Sequence, residues 1–200
     1  MAIHLIRHGE TAFNAGRVVQ HPDTPLSENG LDQAARLAER LADAGITRIL
    51  ASDYARAAMT AAALEQSTGV IVESEPLLRE RNLGDLRGRP YSEFDFDPFA
   101  SDYEPPNGES WDVFHARVDA AWMRVAATAL ETGGHLAVVT HGLVCASVVG
   151  RLAEVPEEHA MRLAGWVNTS VTVLDEEAPW TVRLLNCAEH LDEARAKGPA

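Results

Sequence analysis

The chain has one lysine, Lys197, in 200 residues. Its basic residues are nearly all arginine, and Lys plus Arg total 17 against 30 Asp plus Glu, giving a net charge of −13. No lysine-arginine run occurs. That absence speaks against a nucleic-acid groove or an anionic membrane surface as a partner. Cysteine is scarce too. Cys145 and Cys187 are too few for a disulfide framework, and both sit in apolar runs, which reads as buried free thiols. No apolar stretch approaches the ~18 residues a membrane span needs. Met1–His8 lacks a basic segment followed by an apolar one, so no secretory signal is read and a cytoplasmic location is expected. H-E-x-x-H and clustered cysteine ligands are both missing, which disfavours zinc. No metal or other cofactor is expected, since arginine and histidine can supply the positive charge.

What is present is an ordinary soluble composition, 46% hydrophobic and 24% charged. A chain of this length buries roughly 70% of its unfolded surface and needs no staples. Short apolar runs alternate with helical periods, which predicts an α/β fold. Ala2–Ile6 reads as a strand. Ser27 is a candidate N-cap for a helix through Ala42, closed by Gly45. Thr47–Ala51 reads as a strand, Tyr54–Ser67 as a helix ended by Gly69, and Val70–Val72 as a third strand. Ser110 caps a helix whose stripe is Trp111, Phe114, Val118, Trp122, Val125 and Ala129, closed by Gly133-Gly134. Leu136–Thr140 is a buried strand and Leu143–Leu152 a helix. Thr169–Asp175 and Thr181–Leu185 are strands joined by a hairpin-like connection.

The expected architecture is a three-layer sandwich: a mostly parallel central sheet with an antiparallel strand, and helices on both faces. A single domain spans 1–191. Within it, 76–109 is an irregular lid or cap segment, since long structureless loops in compact domains are usually functional. Residues 192–200 are expected to form a flexible tail.

Chemistry gathers at strand ends, where parallel α/β sheets bind ligands. Ile6 runs into Arg7-His8-Gly9-Glu10-Thr11, Val139-Thr140 into His141-Gly142, and Ala51 into Ser52–Arg56. Two imidazoles each followed by glycine, beside the guanidiniums of Arg7 and Arg56, suit a phosphoryl group, whose oxygens accept paired N–H bonds. Glu80, entering the irregular segment, is a candidate general acid. Nearby arginines would lower its pKa and burial would raise it. Each residue alone has a structural explanation; their joint arrangement carries the functional one. His4, His115, His135, His159 and His190 lack comparable context and are read as structural.

The string Arg7-His8-Gly9-Glu10-Thr11, with Asn14 seven residues after the arginine, resembles the signature of the histidine phosphatase superfamily, which includes the cofactor-dependent phosphoglycerate mutases. The similarity continues in order through Pro25–Gly30, Ser52–Arg56 with Thr60-Ala61, Arg79-Glu80 to Gly88, Gly108–Ser110, Val139–Gly142, and Asn186 with His190-Leu191. The resemblance implies that His8 is the nucleophile and forms a phosphohistidine. It implies that Arg7, Arg56 and His141 bind the phosphoryl oxygens, and that Glu80 protonates the leaving oxygen and then deprotonates water. Thr11, Asn14, Gln20, Gly142 and Leu143 are the expected substrate-binding residues. The chain departs from common family patterns at His21-Pro22 after Gln20, at Arg87 where glutamate is frequent, and at Leu143 where a second glycine is common.

Members of the mutase branch resemble one another in a longer insertion between acid and second histidine. Here Glu80 and His141 are 141 − 80 = 61 positions apart. The expected activity is therefore hydrolysis of a small phosphorylated metabolite by a metal-independent phosphomonoesterase. The alternatives are mutase-type phosphoryl transfer and a non-catalytic phosphate-binding module. Trp166 and Val167, or the β-rich C-terminal region, are candidate contacts for a homodimer.

Overall fold

The computed structural model describes residues 1–162 and 165–192. Its strands are Ala2–Arg7 (β1), Ile46–Ala51 (β2), Val72–Ser74 (β3), His135–Thr140 (β4), Val171–Asp175 (β5) and Val182–Cys187 (β6). They form one sheet in the order β3-β2-β4-β1-β5-β6. β1 to β4 run parallel, while β5 is antiparallel to both β1 and β6. The helices are Ala12–Ala15 (α1), Glu28–Leu41 (α2), Ala55–Thr68 (α3), Trp111–Leu130 (α4) and Gly142–Arg151 (α5).

Side chains alternate across a strand, so each face of the sheet collects every second residue. Leu5, Leu136 and Val138 face α4 and α5, meeting Phe114, Trp122, Val144 and Val148. Ile6, Ala137 and Val139 face the other way, onto Leu37, Leu41, Ala61 and Leu64 of α2 and α3. The result is the expected three-layer α/β sandwich. Cys145 and Cys187 are free and buried. No described helix is long and apolar enough to cross a membrane.

Local chemistry sets the element ends. The Ser27 hydroxyl accepts from Gly30 N–H at 3.0 Å and caps α2; Ser110 does the same for Val113 at 3.2 Å. Gly69, at φ +71°, closes α3 in the left-handed region. Three expectations shift. α2 ends at Leu41, so Gly45 (φ +70°) shapes the loop entering β2 rather than the helix cap. The third strand begins at Val72, not Val70, because Val70 N–H is turned back onto the Thr68 hydroxyl at 3.2 Å. β5 begins at Val171, because Thr169, at φ +55°, is turned towards the end of β1.

Segment 76–109 contains three short 3-10 turns, Pro76–Leu78, Gly84–Leu86 and Tyr91–Glu93. It is tied to residues 17–19. Val19 N–H donates to Arg89 O at 3.0 Å, and Gly88 N–H to Val19 O at 2.8 Å. Val19, Leu83 and Leu86 form a small separate core with Tyr91, Phe94 and Tyr103. Of the expected tail, residues 193–200 lie outside the described residues.

Candidate active site

β1 and β4 are adjacent and parallel, so Arg7-His8 and Thr140-His141 leave the sheet side by side. The His8 and His141 rings are 5.1 Å apart between centroids, edge to face. A cavity of about 350 Å³ opens there, lined among others by Arg7, His8, Arg56, Glu80, Gly142 and Leu143.

His8 is held at both ring nitrogens. Nδ1 lies 2.7 Å from Gly9 O. A carbonyl only accepts, so Nδ1 carries the proton and Nε2 keeps its lone pair. Arg56 Nε donates to that Nε2 at 3.2 Å, and Arg56 Nη1 donates to His21 O at 3.0 Å. The backbone of His8 is also fixed: its carbonyl accepts from Asn168 Nδ2 at 2.9 Å and from Thr169 N–H at 3.3 Å. Gly9 N–H donates to Thr60 Oγ1 at 3.0 Å, which ties the loop to α3.

Arg7 donates through Nη1 to the Trp166 carbonyl, while its buried Nε has no partner. The Glu80 carboxyl sits at the start of α5. One oxygen accepts from Leu143 N–H at 3.2 Å and the other from Arg81 N–H at 3.0 Å. His141 Nε2 is 2.8 Å from Ser52 Oγ, and its Nδ1 is buried without a partner.

Electrostatics follow from burial. Burial holds His8 well below its ordinary 6.5, and Arg56 and Arg7 push the same way. His141 is lowered for the same reasons, burial first and then Arg56. Burial also brings Arg56 down to about 10, so it stays cationic at neutral pH. Glu80 is raised because burial outweighs the Leu143 and Arg81 N–H groups. The site therefore presents two neutral imidazoles, two guanidiniums and a carboxyl biased towards its protonated form.

Asn14 and Gln20 also line the cavity. Thr11 does not. It is fully buried one layer out, where its hydroxyl caps α1 by accepting from Asn14 N–H and donates to Gln20 Oε1 at 2.8 Å. His141 likewise lies behind the lining, between His8 and Tyr54. Trp166 packs against the core and lines the cavity.

Several supporting residues have no signal in the sequence. Arg117 on α4 donates to the carbonyls of Leu77 and Arg79 at 2.8 Å and of Glu80 at 3.3 Å, and clasps Glu109 with both arms. Its partners are carbonyls some forty residues away, which no residue pattern encodes. Ser52 belongs to the string read at the end of β2, but its pairing with His141 needed the fold. His190 is not isolated either: its Nε2 is 3.0 Å from Thr169 Oγ1, and Arg40 lies 3.1 Å from its Nδ1.

The family model described as histidine phosphatase superfamily (branch 1) matches residues 3–188. A probable phosphoglycerate mutase of Yersinia pestis is 32% identical, over 90% of this chain and 87% of its own length. A mycobacterial glucosyl-3-phosphoglycerate phosphatase, solved with VO3, is 32% identical with a TM-score of 0.79, covering 93% of this chain and 99% of that one. A putative alpha-ribazole-5'-P phosphatase from Escherichia coli is 28% identical with a TM-score of 0.78, covering 94% and 97%.

Proposed function

This chain belongs to the histidine phosphatase superfamily, and from that premise we propose that it is a metal-independent phosphomonoester hydrolase acting on a small phosphorylated metabolite through a phosphohistidine at His8. One observation carries the reading: the unprotonated Nε2 of His8 lies beside the Arg56 guanidinium in a cavity that also contains the Glu80 carboxyl.

The chemistry runs in two displacements. In the first, the Nε2 lone pair of His8 attacks phosphorus. The bond from phosphorus to the ester oxygen breaks, and the Glu80 carboxyl gives its proton to that oxygen. In the second, water attacks the phosphohistidine while the Glu80 carboxylate takes a proton from it. The N–P bond breaks, inorganic phosphate leaves, and Nε2 recovers its lone pair. A neutral imidazole meets no like-charge repulsion from the phosphate. Arg7 and Arg56 supply fixed positive charge where the phosphoryl oxygens gather negative charge. His141, against the His8 ring just behind the cavity lining, is the remaining donor in this reading for the phosphoryl oxygens. Asn14, Gln20 and the backbone of Gly142 and Leu143 bound the substrate, and Thr11 acts through Gln20.

Hydrolysis is preferred to mutase-type transfer because only 61 positions separate Glu80 from His141. The Yersinia relative's name keeps transfer as the second reading. The test is phosphate release from a panel of small phosphomonoesters with EDTA present, wild type beside His8→Ala, with trapping of labelled phosphohistidine. The expected result is activity and label in the wild type alone. Equal release by His8→Ala overturns the nucleophile. Interconversion of 3- and 2-phosphoglycerate faster than hydrolysis favours the mutase.

A further inference from the structure

Arg87 is a cavity-lining residue that the proposed reaction leaves unused. The side chain is half-buried and lines the same cavity as His8 and Arg56. Its Nη2 donates to the Tyr54 hydroxyl at 3.2 Å. The Tyr54 ring lies 5.3 Å from the Arg56 guanidinium and 5.4 Å from the His141 ring, which ties Arg87 to the phosphoryl end. Arg87 makes no other side-chain hydrogen bond and no ion pair among the described residues.

Other arginines of the molecule hold carboxylates. Arg79 holds Asp53, Arg117 holds Glu109, and Arg124 holds Glu75. The arginines lining the cavity, Arg7, Arg56, Arg81 and Arg87, hold no carboxylate. Arg81 is only 3% exposed, and its Nη1 is buried with no partner, although its other nitrogens are fixed on the carbonyls of Glu109 and Tyr103. A buried guanidinium N–H without an acceptor is costly and points to an absent acceptor. Glu80 is the sole carboxylate of the lining among the described residues and already accepts two backbone N–H bonds. One phosphoryl group accounts for Arg7 and Arg56. Arg81 and Arg87 reach the cavity from the same segment as Glu80, the residue that meets the leaving oxygen.

We infer that Arg87 is a specificity-determining residue for a second negative charge on the leaving group of the substrate, a carboxylate or a second phosphate. This rests on the phosphomonoesterase reading above. Guanidinium forks pair with either anion, and they offset locally the long-range repulsion that a chain of net charge −13 exerts on a doubly anionic substrate.

The test compares kcat/KM for three esters: 3-phosphoglycerate, fructose 1,6-bisphosphate and the neutral-tailed glycerol 3-phosphate. The wild type is expected to prefer at least one doubly anionic ester. Arg87→Met should lower that preference, as a ratio to glycerol 3-phosphate, by about 10–100-fold, the range for a charged hydrogen bond. Arg87→Glu should lower it further. Loss with 3-phosphoglycerate alone assigns a carboxylate, and loss with the bisphosphate alone assigns a phosphate. A ratio unchanged in both variants overturns the inference, as does an equal loss on all three esters. Calorimetric binding of the same esters to His8→Ala, with and without Arg87→Met, separates the two readings. If the wild type turns over none of the esters, the binding ratio still decides Arg87.

Discussion

Arg56 Nε donates to Nε2 of His8 at 3.2 Å, so the cation meant for the phosphoryl group rests on the nitrogen meant to attack it. Productive binding must move that donor from nitrogen to a phosphoryl oxygen. The same contact adds to burial, the larger cause, in keeping His8 unprotonated. Arg56→Ala should therefore raise the His8 pKa towards 6.5, read by NMR titration, while kcat falls by about 10²–10³. Arg56→Lys keeps the charge but loses the planar fork, and should recover little of the rate. An unchanged His8 titration would show that burial alone sets its protonation.

Activity should follow a bell in pH. The free site needs His8 neutral and Glu80 protonated. The acid limb should lie below 6.5, because His8 is lowered, and the alkaline limb above 4.5, because Glu80 is raised. Glu80→Gln should remove the alkaline limb of kcat/KM. It should slow alkyl phosphates far more than p-nitrophenyl phosphate, whose leaving group scarcely needs an acid.

Arg117 should act as a positioning residue for that acid. Its guanidinium binds the carbonyls on both sides of Glu80 together with Glu109. Arg117→Lys is expected to slow alkyl esters about tenfold or more, with a smaller effect on p-nitrophenyl phosphate in the phosphorylation burst. An equal loss on both esters would point to general damage to the fold.

Stability should fall on acidification. His4 and His190 are lowered from 6.5 to about 4, burial first in each case, then His135 beside His4 and Arg40 beside His190. Below pH 6.5 the unfolded chain takes up protons that the folded chain refuses until about pH 4. The stability these residues contribute is present in full above 6.5 and lost across that window. Urea midpoints measured from pH 7 down to 4.5 should drop, and His4→Gln should flatten the slope.

Gly30→Ala should destabilise the nucleophile loop. A Cβ at Gly30 would lie 2.0 Å from the Glu10 carbonyl oxygen, inside α2's contact with the string that carries His8. Backbone cannot yield there as a side chain could, so a loss of about 1–3 kcal/mol is expected by urea unfolding. Gly133→Ala, which meets nothing within 4 Å, is the control and should stay within about 0.5 kcal/mol.

Most of the architecture is legible in the chain because hydrophobic period and capping chemistry agree. Ser27, Ser110 and Gly69 mark helix ends where the structure has them, and the short apolar runs Ala2–Ile6 and Leu136–Thr140 give the central strands. Short elements escape. α1 has four residues and no buried face, so it leaves no period to read. Strand starts drift where a side chain captures backbone, as Thr68 does at Val70. The strings after strand ends place Arg7, His8, Arg56 and Glu80 in one cavity, since parallel strands deliver their ends to the same side. Thr11 is expected among the substrate-binding residues, but the backbone turn into α1 directs it inward. Arg117 and Asn168 act through long-range contacts to backbone carbonyls, and His190 through the side chains of Thr169 and Arg40, none of which the residue order announces.

The sheet order has a consequence for the birth of the molecule. β1 lies between β4 and β5, so it is completed by residues 135–140 and 171–175, both made after it. The carbonyl of His8 waits for Asn168 and Thr169. Such distant pairings must close long loops before they gain contacts, which slows folding. A nascent chain stopped before β5 carries the whole Arg7–Thr11 string and most of the cavity lining, yet leaves one edge of β1 unpaired and His8 unanchored. The nucleophile is thus made 160 residues before the Asn168 that anchors it.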